Sequence, residues 1–220
     1  MNNNYSIAID GPSASGKSTI AQSVSKKLNI EYIDTGAMYR AITYKVLKNN
    51  IDPLNEQSII NVLKITDIDF INNSIYLDGI KVDNEIRENI VSNNVSYIAK
   101  IKEVREELVR YQRNMAKSKS VIMDGRDIGT VVLPNADYKF FLTASVEERA
   151  SRRYKELLDR GEKHISLDSI IIDIVKRDEI DSNREISPLV QAKDAYLLDT
   201  TNKSIDESVD YIISIVTGGN

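Results

Sequence analysis

The octapeptide Gly11-Pro12-Ser13-Ala14-Ser15-Gly16-Lys17-Ser18 constrains this chain more than any other feature. It fits G-x-x-x-x-G-K-[ST], a phosphate-binding loop, and it sits between the two elements such a loop joins. The apolar-rich run Tyr5-Ser6-Ile7-Ala8-Ile9 before it reads as a buried strand. The segment Lys17–Leu28 after it carries Ile20, Val24 and Leu28 at helical spacing. Gly11 and Gly16 permit backbone angles that aim successive N–H groups into one concavity. The helix start adds the positive end of its dipole. In such a loop the lysine, here Lys17, reaches the terminal phosphates, and the hydroxyl, here Ser18, ligates Mg2+.

Composition narrows the setting. The chain has 220 residues, enough for one domain with a substantial core and a small inserted subdomain. Its net charge of -4 gives no basic coat for nucleic acid or membrane, so a site for an anionic substrate must be a local cluster of Lys and Arg. There are no cysteines, which excludes disulfides, thiol catalysis and zinc-thiolate sites. With no signal-like or membrane-spanning apolar run, the expectation is a cytoplasmic protein.

Five short segments read as parallel strands covered on both faces: Tyr5–Asp10, Glu31–Asp34, Ser120–Asp124, Tyr138–Thr143 and Ala195–Asp199. Helical patterns lie between them. Ile101–Met115 carries one apolar stripe, and Val146–Asp159 and Leu167–Asn183 form a helix pair around the polar loop 160–164. Ser204–Val216 opens on Ser204 with Glu207 three residues on, a capping box. The alternation predicts a three-layer α/β domain with right-handed crossovers. Between Thr66 and Asn84 it breaks into short β-like runs around the turn signal Asp78-Gly79, which predicts a small antiparallel sheet inserted into the parallel fold. That sheet is either functional or decoration.

A phosphate-binding loop identifies a nucleotide user, not a reaction. The nearest match to a guanine-reading Asn-Lys-x-Asp is Asn202-Lys203-Ser204-Ile205, where isoleucine replaces the carboxylate, against a GTPase. The arginines point to a kinase, because bringing the phosphates of two nucleotides together requires their repulsion to be cancelled. Arginine binds phosphate oxygens in pairs. Arg149, Arg152 and Arg153 precede the polar loop; Arg177, Asp181 and Arg184 follow it at i, i+4 and i+7, one helix face. Two such helices suggest a lid that closes over the transferring phosphate and excludes water. His164, the sole histidine, reads as a solvated residue of that loop.

Two further segments end predicted strands, where ligands bind in open α/β sheets. In Val121–Asp127, Asp124 either holds the Mg2+ shell or begins a turn. Arg126 and Asp127 form a plain ion pair or read a base. For cytosine, a carboxylate accepts from the amine and an arginine donates to the neighbouring acceptors. In Asp34-Thr35-Gly36-Ala37-Met38-Tyr39-Arg40, Thr35 is placed to cap the next helix and Arg40 to reach a substrate phosphate. The residues alone leave open a kinase for another small acceptor, such as UMP or AMP, and a nucleotide-gated assembly protein.

Taken together, these segments resemble bacterial cytidylate kinases. The likeness rests on Gly11 to Thr19, Asp34 to Arg40, and Asp-Gly-Arg-Asp-Ile-Gly-Thr-Val-Val at 124–132. It rests also on Glu148-Arg149-Ala150 with Arg152-Arg153, on Arg177-Asp178, and on Asp181–Arg184 with Ser187-Pro188-Leu189. It spans nearly the whole chain and departs most between Leu47 and Asp78. The resemblance implies a nucleoside-monophosphate kinase fold: core 1–35, 100–148 and 185–220, a monophosphate-binding insert over about 36–99, and a lid over about 149–184. It implies ATP + (d)CMP giving ADP + (d)CDP with Mg2+, by a monomer acting on small nucleotides, with no nucleic-acid or membrane partner.

The resemblance also implies roles. Residues Gly11, Pro12, Ser13, Ala14, Ser15, Gly16, Lys17, Ser18 and Thr19 would bind ATP, and Ser18 and Asp124 the metal. Lys17, Arg149, Arg153 and Arg184 would be catalytic. Thr35, Tyr39, Arg40, Ser96, Arg105 and Gly125 would contact CMP. Arg126 and Asp127 would read cytosine with Ser96 beside the base. Arg177 and Asp181 would hold the ribose and phosphate side, and Arg184 the phosphates.

Overall fold

The structure, a computed structural model, describes residues 4–71, 74–163 and 165–218; His164 and the junction 72–73 lie outside the described residues. The first half runs β1 (Ser6–Asp10), α1 (Lys17–Leu28), β2 (Glu31–Asp34), α2 (Thr35–Lys48), α3 (Glu56–Lys64), β3 (Ile68–Ile71), β4 (Ser74–Leu77), β5 (Ile80–Lys81), α4 (Asn89–Ala99) and α5 (Lys102–Met115). The second half runs β6 (Val121–Gly125), a π-helical turn at Ile128–Val132, β7 (Tyr138–Thr143), α6 (Val146–Asp159), α7 (Leu167–Asn183), β8 (Tyr196–Asp199) and α8 (Ile205–Val216).

Five strands form one sheet in the order β2-β6-β1-β7-β8, every neighbouring pair parallel. Side chains alternate across its two faces because the strand period is two. Ile7 and Ile9 of β1 join Phe140, Leu142, α1 and α8 in one core. Ala8, Ile33 and Met123 join α2 and α5 in the other. Both faces are therefore dry over the central strands, as the apolar runs predicted, and each fully buried large side chain there contributes about 1.5–3 kcal/mol. The edge strand β8 departs from that expectation, with only Leu198 buried and Tyr196, Leu197 and Asp199 exposed, because no strand among the described residues pairs beyond it. The register sets Ile9 and Asp34 opposite Asp124, which brings the carboxyl ends of β1, β2 and β6 to one level. Ser204 caps α8 through the capping box read from sequence.

The inserted sheet is antiparallel, β3-β4-β5. Asp78 and Gly79 both have positive φ (51° and 77°), the backbone a two-residue hairpin of this twist needs. Ile75 and Leu77 of β4 and Val82 beyond β5 are buried in the core that holds α2, so the insert is structurally integral. α6 and α7 close a small core of their own around Ala150, Leu157, Ile170 and Ile174. No helix among the described residues is long and apolar enough to cross a membrane.

Candidate active site

The glycine loop folds as its composition dictates. Gly11, Ala14 and Gly16 have φ of 149°, 58° and 89°, so the peptide planes curl into a concavity ahead of α1. A Cβ on Gly11 would lie 2.0 Å from the Leu142 carbonyl oxygen, so β7 admits only glycine there. Lys17 is buried and curls back, its Nζ donating to the Pro12 carbonyl (2.6 Å) and the Ser15 Oγ (3.3 Å). Burial, then the charge of Arg126 and also of Arg177, hold the Lys17 pKa well below its ordinary value, against the pull of Asp124 and Asp10.

Beside the loop, Ser18 Oγ donates to Asp124 Oδ2 at 2.8 Å. Tyr32 Oη donates to the other oxygen at 2.8 Å. Burial and the nearby Asp34 raise the Asp124 pKa, opposed by Lys17, Ser18 and Tyr32. Hydroxyl and carboxylate oxygens are hard donors of the kind Mg2+ takes. Thr35 does not cap α2. Asp34 is the cap, accepting from the Ala37 N–H at 2.9 Å, while Thr35 Oγ1 donates to the Asp124 carbonyl at 2.6 Å and locks β2 to β6. Asp34 has extended backbone and a carboxylate within reach of the third amide, which leaves the hydroxyl one residue later free for the strand. Asp34 also pairs with Arg40 (2.8 Å) and Arg87 (3.3 Å). These arginines hold its carboxyl below the usual range although burial opposes them.

A cleft of 640 Å³ opens over these strand ends, a volume ordinary for a ligand site. At one end Lys17, Arg40, Arg126, Arg153 and Arg177 crowd together. Burial, followed by the charge of Arg126, Arg40 and Arg153, brings the Arg177 pKa down to about 9 despite Asp181. At the other end Asp127 is buried and paired with Arg105, with Arg184 Nη2 at 3.8 Å from its second oxygen. The Arg105 guanidinium lies 5.4 Å above the Tyr39 ring. Between the ends, Asp181 accepts from Ser96 Oγ (2.9 Å) and Arg126 Nε (2.9 Å). Burial raises its pKa, but Arg126, Arg177 and Arg184 outweigh that and hold it low.

Buried polar atoms are rarely left without partners. Among the described residues six side-chain atoms are, and five belong to cleft residues: Tyr39 Oη and the guanidinium nitrogens Arg40 Nε, Arg105 Nε, Arg177 Nε and Arg184 Nη2. Four of the five are cationic donors, which is the complement of an anionic, acceptor-rich ligand.

The structure gathers most of the sequence-predicted residues and rearranges some. Residues 13–19 line the cleft, as do Thr35, Tyr39, Arg40, Ser96, Arg105, Asp124, Gly125, Arg126, Asp127, Arg153, Arg177, Asp181 and Arg184. Gly11, Pro12 and Arg149 do not. Arg149 is buried beneath the loop, donating to Ala144 O, Ser13 O (3.1 Å each) and Asp178 (2.5 Å), so in this conformation it ties the loop to α7. Arg126 and Asp127 are sequence neighbours that do not share a partner: one turns to Asp181 among the cations, the other to Arg105. Arg184 is not on the face of α7, which ends at Asn183; its extended backbone (φ -64°, ψ 141°) swings it to the Asp127 end. Arg153 is paired to Glu156 and reaches Asn89 Oδ1 at 3.4 Å. Arg152 anchors instead on Thr200, through Oγ1 (3.0 Å) and the carbonyl (2.7 Å).

Sequence reading missed Asp34, Arg87 and, from the segment after β8, Thr200, Lys203, Ser204, Ile205 and Ser208, all on the cleft wall. A signal for that segment was present: a polar run follows β8, and ligands gather beyond the carboxyl ends of strands.

The chain is similar to known proteins in both sequence and fold. The family model described as Cytidylate kinase matches residues 7–218. A protein named Cytidylate kinase from Clostridioides difficile (strain 630) is 58% identical over 211 residues, 96% of this chain and 97% of the relative. One of the same name from Alkaliphilus oremlandii (strain OhILAs) is 55% identical over 212 residues, 96% and 97% of the two chains. In fold the chain is similar to a shikimate kinase from Bacteroides thetaiotaomicron, at TM-score 0.52 and 13% identity, over 97% of this chain and 98% of that one. With a phosphate-binding loop, a cationic cleft and near full-length likeness in hand, the chain belongs to the cytidylate kinase family.

Proposed function

We propose that this protein transfers the terminal phosphoryl group of ATP to CMP and dCMP, giving the diphosphates. The observation that carries the reading is the two-ended cleft: a cluster of Lys17, Arg40, Arg126, Arg153 and Arg177 at one end, a buried carboxylate–guanidinium pair, Asp127 and Arg105, at the other.

The loop amides and Lys17 bind the donor phosphates, whose negative charge favours the Lys17 ammonium against the burial and the cationic neighbours that lower its pKa. Arg40, Arg126 and Arg177 orient the acceptor phosphate and cancel its repulsion with the donor. Ser18 and Asp124 are the groups that would hold Mg2+, which when bound neutralises charge on the transferring phosphates. Asp181 and Ser96 stand between the two ends, where the ribose of an acceptor would lie. Asp127 accepts from the exocyclic amine of cytosine while Arg105 donates to its ring acceptors; uracil offers the carboxylate an oxygen in place of that amine. The α6–α7 pair excludes water, being held over the cleft by Ser96–Asp181, Asn93–Asp173 (3.2 Å) and Arg160 to the Arg87 carbonyl (3.0 Å).

The domain division and cytoplasmic setting expected above belong to the same reading. Coupled ADP-release assays with CMP, dCMP, UMP, AMP and dTMP test it. The reading expects cytidine nucleotides to lead by at least about tenfold in kcat/KM, and equal use of UMP or AMP would end it.

A further inference from the structure

We infer that Asp10 is a positioning residue, whose carboxylate caps the turn Ile128–Val132 from a neighbouring strand and thereby keeps Asp127 free to face the substrate. The inference rests on the reading of Asp127 as the group that meets the base.

The first amides of any helical turn lack partners within it, and a residue just before the turn ordinarily supplies a side-chain oxygen to them. Asp127 occupies that place, and aspartate is among the best residues for it. Yet Asp127 makes no capping bond; its carboxylate turns to Arg105 and the cleft. A cap at this place accepts from the second or third amide of the turn, and the second, that of Gly129, is taken by Asp10 together with the first, that of Ile128. Oδ1 accepts from Ile128 N–H at 2.8 Å and Oδ2 from Gly129 N–H at 2.7 Å. Asp10 ends β1, next to Gly125 in register on β6, so the sheet fixes its position. The turn is also held at its far end, where Arg113 donates to the carbonyls of Val131 (2.6 Å) and Val132 (3.1 Å). It closes on itself through Val132 N–H to Asp127 O (3.1 Å) and Leu133 N–H to Ile128 O (2.7 Å). π-helical turns of this kind are rare and concentrate at functional sites.

Burial, and to a smaller extent Asp127, push the Asp10 carboxyl up to about 6, while the two amides and Lys17 pull it down. Near neutral pH it is charged and both oxygens accept. Asparagine at position 10 would offer one acceptor and turn an NH2 toward an N–H. One amide would then be freed to compete for Asp127 and draw its carboxylate out of the cleft.

The test is a double-mutant cycle of Asp10→Asn and Asp127→Asn, with KM measured for CMP and for ATP. Asp10→Asn should raise KM for CMP about tenfold and leave KM for ATP within about twofold, because the lost bond lies on the acceptor side. In the Asp127→Asn background the same change should add less than about twofold, since the group it positions is already altered. An equal rise in both KM values, no rise for CMP, or the full effect persisting in the Asp127→Asn background would each overturn the inference. If Asp10→Asn does not fold, Asp10→Glu, which displaces both oxygens along a longer arm, is carried through the same cycle under the same criteria. Were Asp127→Asn alone to leave CMP use unchanged, the base-reading assignment itself would fall. Were Asp127→Asn to impair CMP use while Asp10→Asn did not, only the role of Asp10 would.

Discussion

On the proposed reading Lys17 and Asp127 divide the work of the cleft, and their substitutions should fail differently. Lys17→Ala removes the cation nearest the loop and is expected to lower turnover about a hundredfold or more for every acceptor. Asp127→Asn should cost roughly 1–3 kcal/mol in transition-state binding for CMP and little for UMP. Steady-state kinetics on both acceptors separates the two. Asp10 adds a pH signature. Its folded pKa of about 6 lies above the ordinary 3.8, so between those values the folded state holds a proton that the unfolded chain has released. Its contribution to stability is therefore full below about pH 4 and is lost as pH rises through about 6. Thermal melts should show the gap between the native protein and Asp10→Asn shifting in favour of the native protein at about pH 4.5 relative to about pH 7.5; a constant gap would contradict the assignment. The motif residues were legible because each chemistry needs one residue type at one spacing. Side-chain direction was not: Arg126 and Asp127 are adjacent in sequence, but the backbone leaving β6 turns them toward different partners.

The loop and the helix pair act on each other through Arg149. Its guanidinium satisfies Ser13 O, Ala144 O and Asp178 together, a fork lysine cannot reproduce. Arg149→Lys should therefore destabilise the protein by roughly 2–3 kcal/mol, the lower side for a broken buried pair, because Asp178 keeps 21% of its side chain exposed. It should also weaken ATP and CMP use together, since it loosens both the loop and α7. Denaturant unfolding with KM values for both substrates checks this, and a loss confined to turnover would favour direct contact with phosphate. At this scale the sequence was read well where local rules govern. The ranges of α1, α6 and α7 follow the apolar spacing, and the Asp78-Gly79 turn follows its backbone demand. It was read poorly where a long-range partner overrides a local preference. The Thr35 hydroxyl goes to β6 rather than to its own helix, and Arg149 goes beneath the loop rather than into the cleft.

For the whole molecule, the sheet order was invisible in the sequence, since the five apolar runs carry no record of which neighbours they choose. That order puts β1 at the centre with β6 and β7 beside it, and so lays the loop, Asp124 and the turn that carries Asp127 around one crevice. The two cores fix that arrangement, and α4, packed on α2, brings Ser96 to face α7 across the cleft. The proposed function follows from this assembly: a cationic end for two sets of phosphates and a carboxylate end for the amine of cytosine. Isothermal titration calorimetry of CMP and UMP into the native protein and Asp127→Asn tests it most directly. CMP should bind the native protein at least about tenfold more tightly than UMP, with the difference shrinking to about twofold or less in Asp127→Asn. UMP binding the native protein as tightly as CMP would contradict the account.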